Sequence, residues 1–288
     1  MVVFGSWRLS QWPLPGKARV ASLHTYDRAG LSRSWQLYVT NKAAFRTESE
    51  GQLQQLMANT RTQARAGTQL VMWSESSPML LTADEARVLT LLRKLAHDER
   101  IYLVAYPYLY SHPMSRDQNK LWLIDPAGQL LATHYKYGGN LLEGCVKGDE
   151  KLQAADTPLG KLTGIICWDG DFPQTVRQTS ALETGLLLIP AADWDAISPL
   201  HTVVAQFRGI ENGCSVVRQT LSGRSVMADP YGRVISQMNH FTTTNWLMQG
   251  QLPTQHVPTI YGYLGDWFAW LCLAGLAAFG WQWVRSRR

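Results

Sequence analysis

Cys167 closes a short apolar run, Thr163-Gly164-Ile165-Ile166-Cys167, and is followed by Trp168-Asp169 and then Asp171-Phe172-Pro173. The segment reads as a buried strand that stops on a cysteine and turns into a helix running to about Thr184. A cysteine on such a turn presents its sulfur at a sheet edge. The backbone N–H groups that follow, and the helix N-terminus, are expected to favour the thiolate there. Cysteine is the most nucleophilic of the ordinary side chains, so the chemistry suggested is covalent catalysis. A buried structural cysteine would look the same from this segment alone.

Two other segments carry the complementary groups. Gln69-Leu70-Val71-Met72-Trp73 is an apolar run that stops at Ser74-Glu75. Gln129 to Tyr135 reads as a strand that ends on Lys136, with Glu143 downstream in the next loop. A charge at a strand's end sits where the functional loops of open α/β sheets converge, although Glu75 or Lys136 taken singly reads as an ordinary solvated charge.

Glu75 in WSE, Lys136 in YK and Cys167 in ICWDGDFP, in that order, resemble the nitrilase (carbon–nitrogen hydrolase) superfamily. The likeness continues through FRGIENG (207–213), VRQT (217–220), SGRS (222–225) and DPYG (229–232). The stretch PTIYGYLGDW (258–267), running straight into an apolar tail, is similar to the apolipoprotein N-acyltransferase branch, in which a nitrilase-like domain precedes a last membrane helix. The resemblance spans roughly residues 15 to 285. It implies an α/β fold, a four-layer α-β-β-α sandwich, followed by one C-terminal transmembrane helix. It also implies Cys167 as nucleophile, Glu75 as general base, and Lys136 with the Trp168 backbone N–H as oxyanion donors. Glu143 would orient Lys136 or assist proton transfer. Members of the branch carry a Pro-Phe-Gly-Glu-Tyr-like stretch after the lysine. Here the text is YGGNLLEGC (137–145), which keeps the glutamate in different surroundings, so donor or acceptor preference can differ.

Composition narrows the class. A chain of 288 residues is long enough for one large α/β domain, and the evenly spread strand and helix signals favour one. The net charge of +5 is spread out except at the closing Arg285-Ser286-Arg287-Arg288, which gives nucleic-acid binding little support. The four cysteines, Cys145, Cys167, Cys214 and Cys272, show neither CxxC nor zinc spacing, and no metal or cofactor is expected. WFAWLCLAGLAAFGWQWV (267–284) is uncharged and long enough to span a bilayer, with Trp267, Trp270, Trp281 and Trp283 toward its ends. The chain therefore divides into an N-terminal extension (1–16), a catalytic domain (17–257), a connector (258–266), a transmembrane helix (267–284) and a basic tail (285–288).

The basic tail belongs in the cytoplasm by the positive-inside rule, which places the domain on the outer, periplasmic face of a bacterial inner membrane. Met1 to Arg8 lack the apolar core of a signal peptide. Members of the branch carry several N-terminal membrane helices that this text does not contain. Either a separate piece supplies them, or the domain is cytoplasmic and tail-anchored. The outer reading is preferred.

Around the motifs, residues 17–25 read as a first strand and residues 48–66 as a helix with Leu53, Leu56 and Met57 on one face. Thr82 and Glu85 form a capping-box pattern before a helix presenting Val88, Leu91, Leu92 and Leu95. Ile101 to Tyr110 is strand-like. Two pieces, 121–132 and 225–235, each read as strand, Asp-Pro-x-Gly turn and strand, which suggests internal pseudo-symmetry. Leu200–Glu211 is expected as a helix and Ser215–Gln219 as a strand. Asp169 is assigned no catalytic part. Arg208, Glu211 and Arg218 are expected in ion pairs that shape the fold, and His201 is expected to be exposed.

The chemistry implied is ping-pong: a donor loads Cys167 as a thioester and an acceptor removes the acyl group. An amine acceptor makes an N-acyltransferase that uses a phospholipid donor and a lipoprotein acceptor. Water makes a membrane-tethered amidase. A third reading is an idle subunit that needs a partner. The tethering segment favours the first.

Overall fold

The computed structural model describes Ser6, Leu9, Ser10, Leu14 and residues 16–111, 115–138 and 143–287. Two sheets lie face to face. In the first, β1 (Lys17–Leu23), β2 (Leu70–Trp73) and β4 (Tyr102–Ala105) run parallel, and the hairpin β6 (Gln118–Ile124) and β7 (Leu130–Tyr135) closes antiparallel against β4. The short β3 (Met79–Leu81) and β5 (Tyr108–Tyr110) extend it, and β14 (Leu247–Pro253) flanks β1, making eight strands. The second sheet repeats the plan. β9 (Gly160–Gly164), β10 (Leu186–Ala192) and β11 (Ser215–Leu221) run parallel, the hairpin β12 (Arg224–Ala228) and β13 (Val234–Asn239) follows, and β8 (Ala154–Thr157) flanks β9. Each hairpin turns on its Asp-Pro-x-Gly. Asp125 Oδ1 accepts from the amides of Ala127 and Gln129, and Asp229 Oδ1 from those of Tyr231 and Arg233.

The layering follows from which strand faces are apolar. A core between the sheets sets Leu70, Met72, Val104 and Leu121 against Leu186, Leu188, Val217 and Met227. The alternate residues, Val71, Trp73, Leu103 and Trp122, meet Leu53, Leu56 and Met57 of α2 (Lys42–Arg65) and Val88, Leu92 and Leu95 of α3 (Glu85–Glu99). On the far side Ile165, Leu187, Ile189 and Val216 meet Val176 of α4 (Pro173–Ala181) and Ala205 of α5 (Ser198–Asn212). This is an α-β-β-α sandwich. Burial on both faces explains why β2, β4 and β10 are continuous apolar runs rather than alternating ones. Each such Leu or Val contributes about 1.5–3 kcal/mol through removal from water.

Several local expectations shift. The helix expected over 48–66 begins at Lys42, capped by Asn41, whose Oδ1 accepts from the Ala44 amide at 3.1 Å. α1 (Arg28–Thr40) was not anticipated; Asp27 starts it by accepting from the Gly30 amide at 2.8 Å. The capping box at Thr82 and Glu85 does not form. Thr82 Oγ1 bonds the Tyr110 carbonyl, and Glu85 is taken by the buried Lys120 at 2.6 Å, so a 3-10 turn precedes α3 instead. The strand read over 101–110 breaks at Pro107 into β4 and β5. A 3-10 turn, Cys167–Asp171, separates β9 from α4, which ends at Ala181 rather than near Thr184.

α6 (Ile260–Leu264) and α7 (Trp267–Ser286) complete the chain. α7 is uncharged up to Arg285 and has none of its residues buried. At 1.5 Å per residue its 20 residues extend about 30 Å, the thickness of a bilayer's hydrocarbon core.

Candidate active site

Glu75, Lys136 and Glu143 converge. The Lys136 Nζ donates to Glu75 Oε1 at 2.8 Å and to Glu143 Oε1 at 2.5 Å. Glu75 and Lys136 are buried, while Glu143 is partly open. Burial alone would lower the Lys136 pKa, but the charges of Glu75, Cys167 and Glu143 outweigh it and hold the ammonium well above its ordinary value. Burial, followed by repulsion from Glu75, raises the Glu143 carboxyl despite Lys136. Asn119, on β6 beside the Lys136 strand, donates its Nδ2 to Glu75 Oε1 at 2.8 Å. It fixes the carboxylate's second contact. The sequence reading passed over it because an isolated Asn carries no signal of a partner in another strand. Residues 139–142, part of the departure from the branch's motif, lie outside the described residues.

Cys167 sits on a turn with φ of 49°, a left-handed conformation that only local constraint holds for a non-glycine residue. Ser76, directly after Glu75, also has positive φ, so both strand ends turn sharply at the candidate residues. The 3-10 turn decides which amides are bonded within it. Its first internal bond runs from the Asp169 amide to the Ile166 carbonyl at 2.9 Å, which leaves the Trp168 N–H ahead of it without an acceptor inside the turn. The expectation that the turn favours the thiolate is corrected. Burial and the negative charge of Glu75 push the Cys167 thiol up, and Lys136 offsets only part of this. The helix proper begins only at Pro173, beyond the turn.

Asp169 locks the two halves together. Its Oδ1 accepts from the amides of Tyr137 and Gly138 at 2.9 and 2.5 Å, and its Oδ2 from the Ile166 amide at 2.9 Å. His134 Nε2 lies 2.8 Å from the same Oδ2. A fully buried carboxylate thus ties the residues after Lys136 to the Cys167 turn. Gly138 is needed there, because a Cβ would fall 2.7 Å from the Trp168 carbonyl carbon. Arg208 supports the turn from α5, donating Nε to the Gly170 carbonyl at 2.9 Å and pairing with Glu211 at 2.6 Å.

A second ionic group lies on the β10 side of Cys167. Both Asp193 oxygens accept from the Arg218 Nη2 at 3.0 and 2.9 Å, and His201 Nδ1 lies 3.1 Å from the same carboxylate. His201 Nε2 lies 3.3 Å from Asp171. His201 is therefore paired rather than simply exposed. Its hydrogen bonds to Asp171 and Asp193 raise its pKa from 6.5 to about 9. Asp193 was not read from the sequence, because its partners come from other elements. Since the folded state holds the proton more tightly, this stabilisation is complete below about pH 6.5 and is lost as the pH rises through about 9. Replacing His201 by Gln is expected to lower stability by ~1–2 kcal/mol at pH 6 and by little at pH 10, with the shift discounted for partial exposure. Thermal melts across that window check it.

Fold and site together define the class, a nitrilase-like α/β protein. Residues 34–258 match the carbon-nitrogen hydrolase family model, and the chain belongs to that family. An apolipoprotein N-acyltransferase of Geobacter metallireducens is 24% identical over 241 residues, covering 74% of this chain and 46% of that protein. The chain thus spans about half the length of that relative. The fold is shared with an amidase from Nesterenkonia sp., at a TM-score of 0.65, 19% identity, and coverage of 84% of this chain and 94% of that one. A glutamate mutant of the same amidase, with TM-score 0.62, 20% identity and coverage of 83% and 92%, shows covalent addition of the acetamide moiety of fluoroacetamide at the active site cysteine.

Proposed function

We propose that the chain is a membrane-bound N-acyltransferase. It moves a fatty acyl group from a phospholipid through a thioester on Cys167 to the amino terminus of a lipoprotein. The observation that carries this reading is the coupling of the Glu75–Lys136–Glu143 cluster and Cys167 to α7 in one chain. An apolar helix of that length suits a site supplied from the bilayer, and the N-acyltransferase relative supports the same reading.

Glu75 takes the Cys167 proton as sulfur attacks the ester carbonyl. Lys136 and the Trp168 N–H hold the oxyanion, and Glu75 returns the proton to the departing alcohol oxygen. In the second half the acceptor amine attacks the thioester, loses its proton to Glu75, and the thiol is regenerated. Glu143 keeps Lys136 aimed. With Arg285, Arg287 and Arg288 in the cytoplasm, the domain lies on the outer face of the inner membrane. A second reading, a tethered amidase, is favoured by the amidase fold neighbours.

The test offers purified protein a defined phospholipid with a diacylglyceryl-cysteine peptide, and separately a panel of small carboxamides. N-acylated peptide without ammonia release is the expected result. Ammonia release without peptide acylation would assign the chain to the amidases.

A further inference from the structure

The connector to α7 is fastened to one face of the domain. The Val257 amide donates to the Gly213 carbonyl at 2.8 Å, and His256 Nε2 lies 3.0 Å from the Asn212 carbonyl. Thr259 Oγ1, 2.5 Å from the Glu211 carbonyl, also caps α6 by accepting from the Gly262 amide at 2.9 Å. Gly262 lies against Ser180 of α4 and Gly265 under the Arg177 guanidinium; a Cβ at either would collide. Only Gly265 and Asp266 separate α6 from α7. A tether this short, on a connector this firmly held, leaves the domain little freedom to turn. The face built by α4, α5 and α6 is the one beside the start of α7.

That face is apolar where solvent would be expected. On α5, Leu200, Val203 and Phe207 point outward with 58, 46 and 55% of their surfaces exposed. Their spacing makes one stripe about 10 Å long. Trp194, in edge contact with His201 of α5, and Phe172, immediately after the Cys167 turn, are also exposed. So are Ile260, Tyr263 and Leu264 of α6, which leads into α7. An exposed run of this kind marks a surface with a partner.

We propose that this face is a lipid-docking surface. Leu200, Val203 and Phe207 enter the headgroup–acyl boundary of the bilayer that α7 crosses, and the Phe172 edge of the site opens onto it. The occupant is lipid rather than a second copy of the chain, because α6, bonded through Thr259 to the end of α5 and carrying exposed Ile260, Tyr263 and Leu264, leads within two residues into a helix of membrane-spanning length. The proposal rests on the reading of α7 as a membrane span.

The test separates the two. The full chain carrying Cys167→Ala is labelled with an environment-sensitive fluorophore at Cys272, within α7. In a Cys167→Ala, Cys272→Ser background, single labels are placed at Val203→Cys, Phe207→Cys and, on the opposite outer layer, Asn59→Cys. Each protein is reconstituted into phosphatidylethanolamine–phosphatidylglycerol vesicles containing doxyl-labelled lipid. The expected result is quenching at Cys272 by deep doxyl, a blue shift with quenching by shallow doxyl at positions 203 and 207, and neither at 59. Quenching at 272 but not at 203 or 207 overturns the docking surface and leaves the span intact. No quenching at 272 overturns both. Protection at 203 together with crosslinking between copies assigns the stripe to self-association and overturns the proposal.

Discussion

Lys136→Met is expected to abolish turnover, by at least about 10³-fold, and to lower the melting temperature as well. The ammonium lies between two carboxylates, with Glu75 at 2.8 Å and Glu143 at 2.5 Å. In the proposed mechanism its loss removes one oxyanion donor, itself worth about 10²–10³ in rate. It also leaves two carboxylates facing each other with no cation between them. One of them must take up a proton, and a protonated Glu75 is no base for Cys167. Breaking a buried ion pair by removing one partner costs about 3–5 kcal/mol, reduced here because Glu143 is partly open. Lys136→Arg should not rescue, since the planar guanidinium cannot occupy the space of a compact ammonium. Adding Glu143→Gln to Lys136→Met should restore much of the stability and none of the activity. Turnover measured beside thermal melts on the single and double variants checks this. Recovery of activity in the double variant would remove Lys136 from the chemistry.

Asp169→Asn is the second large effect. Each Asp169 oxygen accepts from two groups, Tyr137 and Gly138 at Oδ1, Ile166 and His134 at Oδ2. An asparagine must turn an NH₂ toward one of those pairs, leaving buried donors facing a donor. Each unsatisfied donor costs about 1–3 kcal/mol, so a loss of roughly 3–5 kcal/mol is expected. The catalytic effect follows from geometry, because the carboxylate fixes the segment after Lys136 to the Cys167 turn. The turnover number should fall at least about tenfold with KM nearly unchanged, since the interactions lost position the reacting groups rather than the substrate. Denaturant unfolding with steady-state kinetics reads both. An Asn variant of full stability and slow turnover would make Asp169 a participant in the reaction rather than a positioning residue.

Much of the site could be read in the chain because Glu75, Lys136 and Cys167 each close an apolar run, and the end of a run is visible locally. Glu143 came only with the family resemblance, because nothing in its neighbours announces a partner. Asn119 and Asp193 were missed for the same physical reason. Asn119 reaches Glu75 across 44 residues, and Asp193 reaches Arg218 across 25. Such pairings are set by strand order, which periodicity does not encode. The thiolate expectation for Cys167 failed because a strand-to-helix turn suggests an activating helix terminus, whereas a 3-10 turn intervenes and burial, with the charge of Glu75, pushes the thiol up. The α-β-β-α layering came with the family resemblance, while the repeat of the two Asp-Pro-x-Gly hairpins was visible in the residues themselves. α1 was not anticipated although Leu31, Trp35 and Tyr38 stand at helical spacing; Trp35 stays exposed, and the helix starts from the cap at Asp27.

The central claim is that Cys167 carries the acyl group. Intact-protein mass spectrometry after incubation with one defined diacyl phospholipid tests it most directly, comparing the natural chain with Cys167→Ala. The account predicts a mass gain of one acyl chain, released by hydroxylamine and absent from the variant. An acyl adduct that persists in Cys167→Ala, or no adduct while acylated peptide still accumulates, would contradict it.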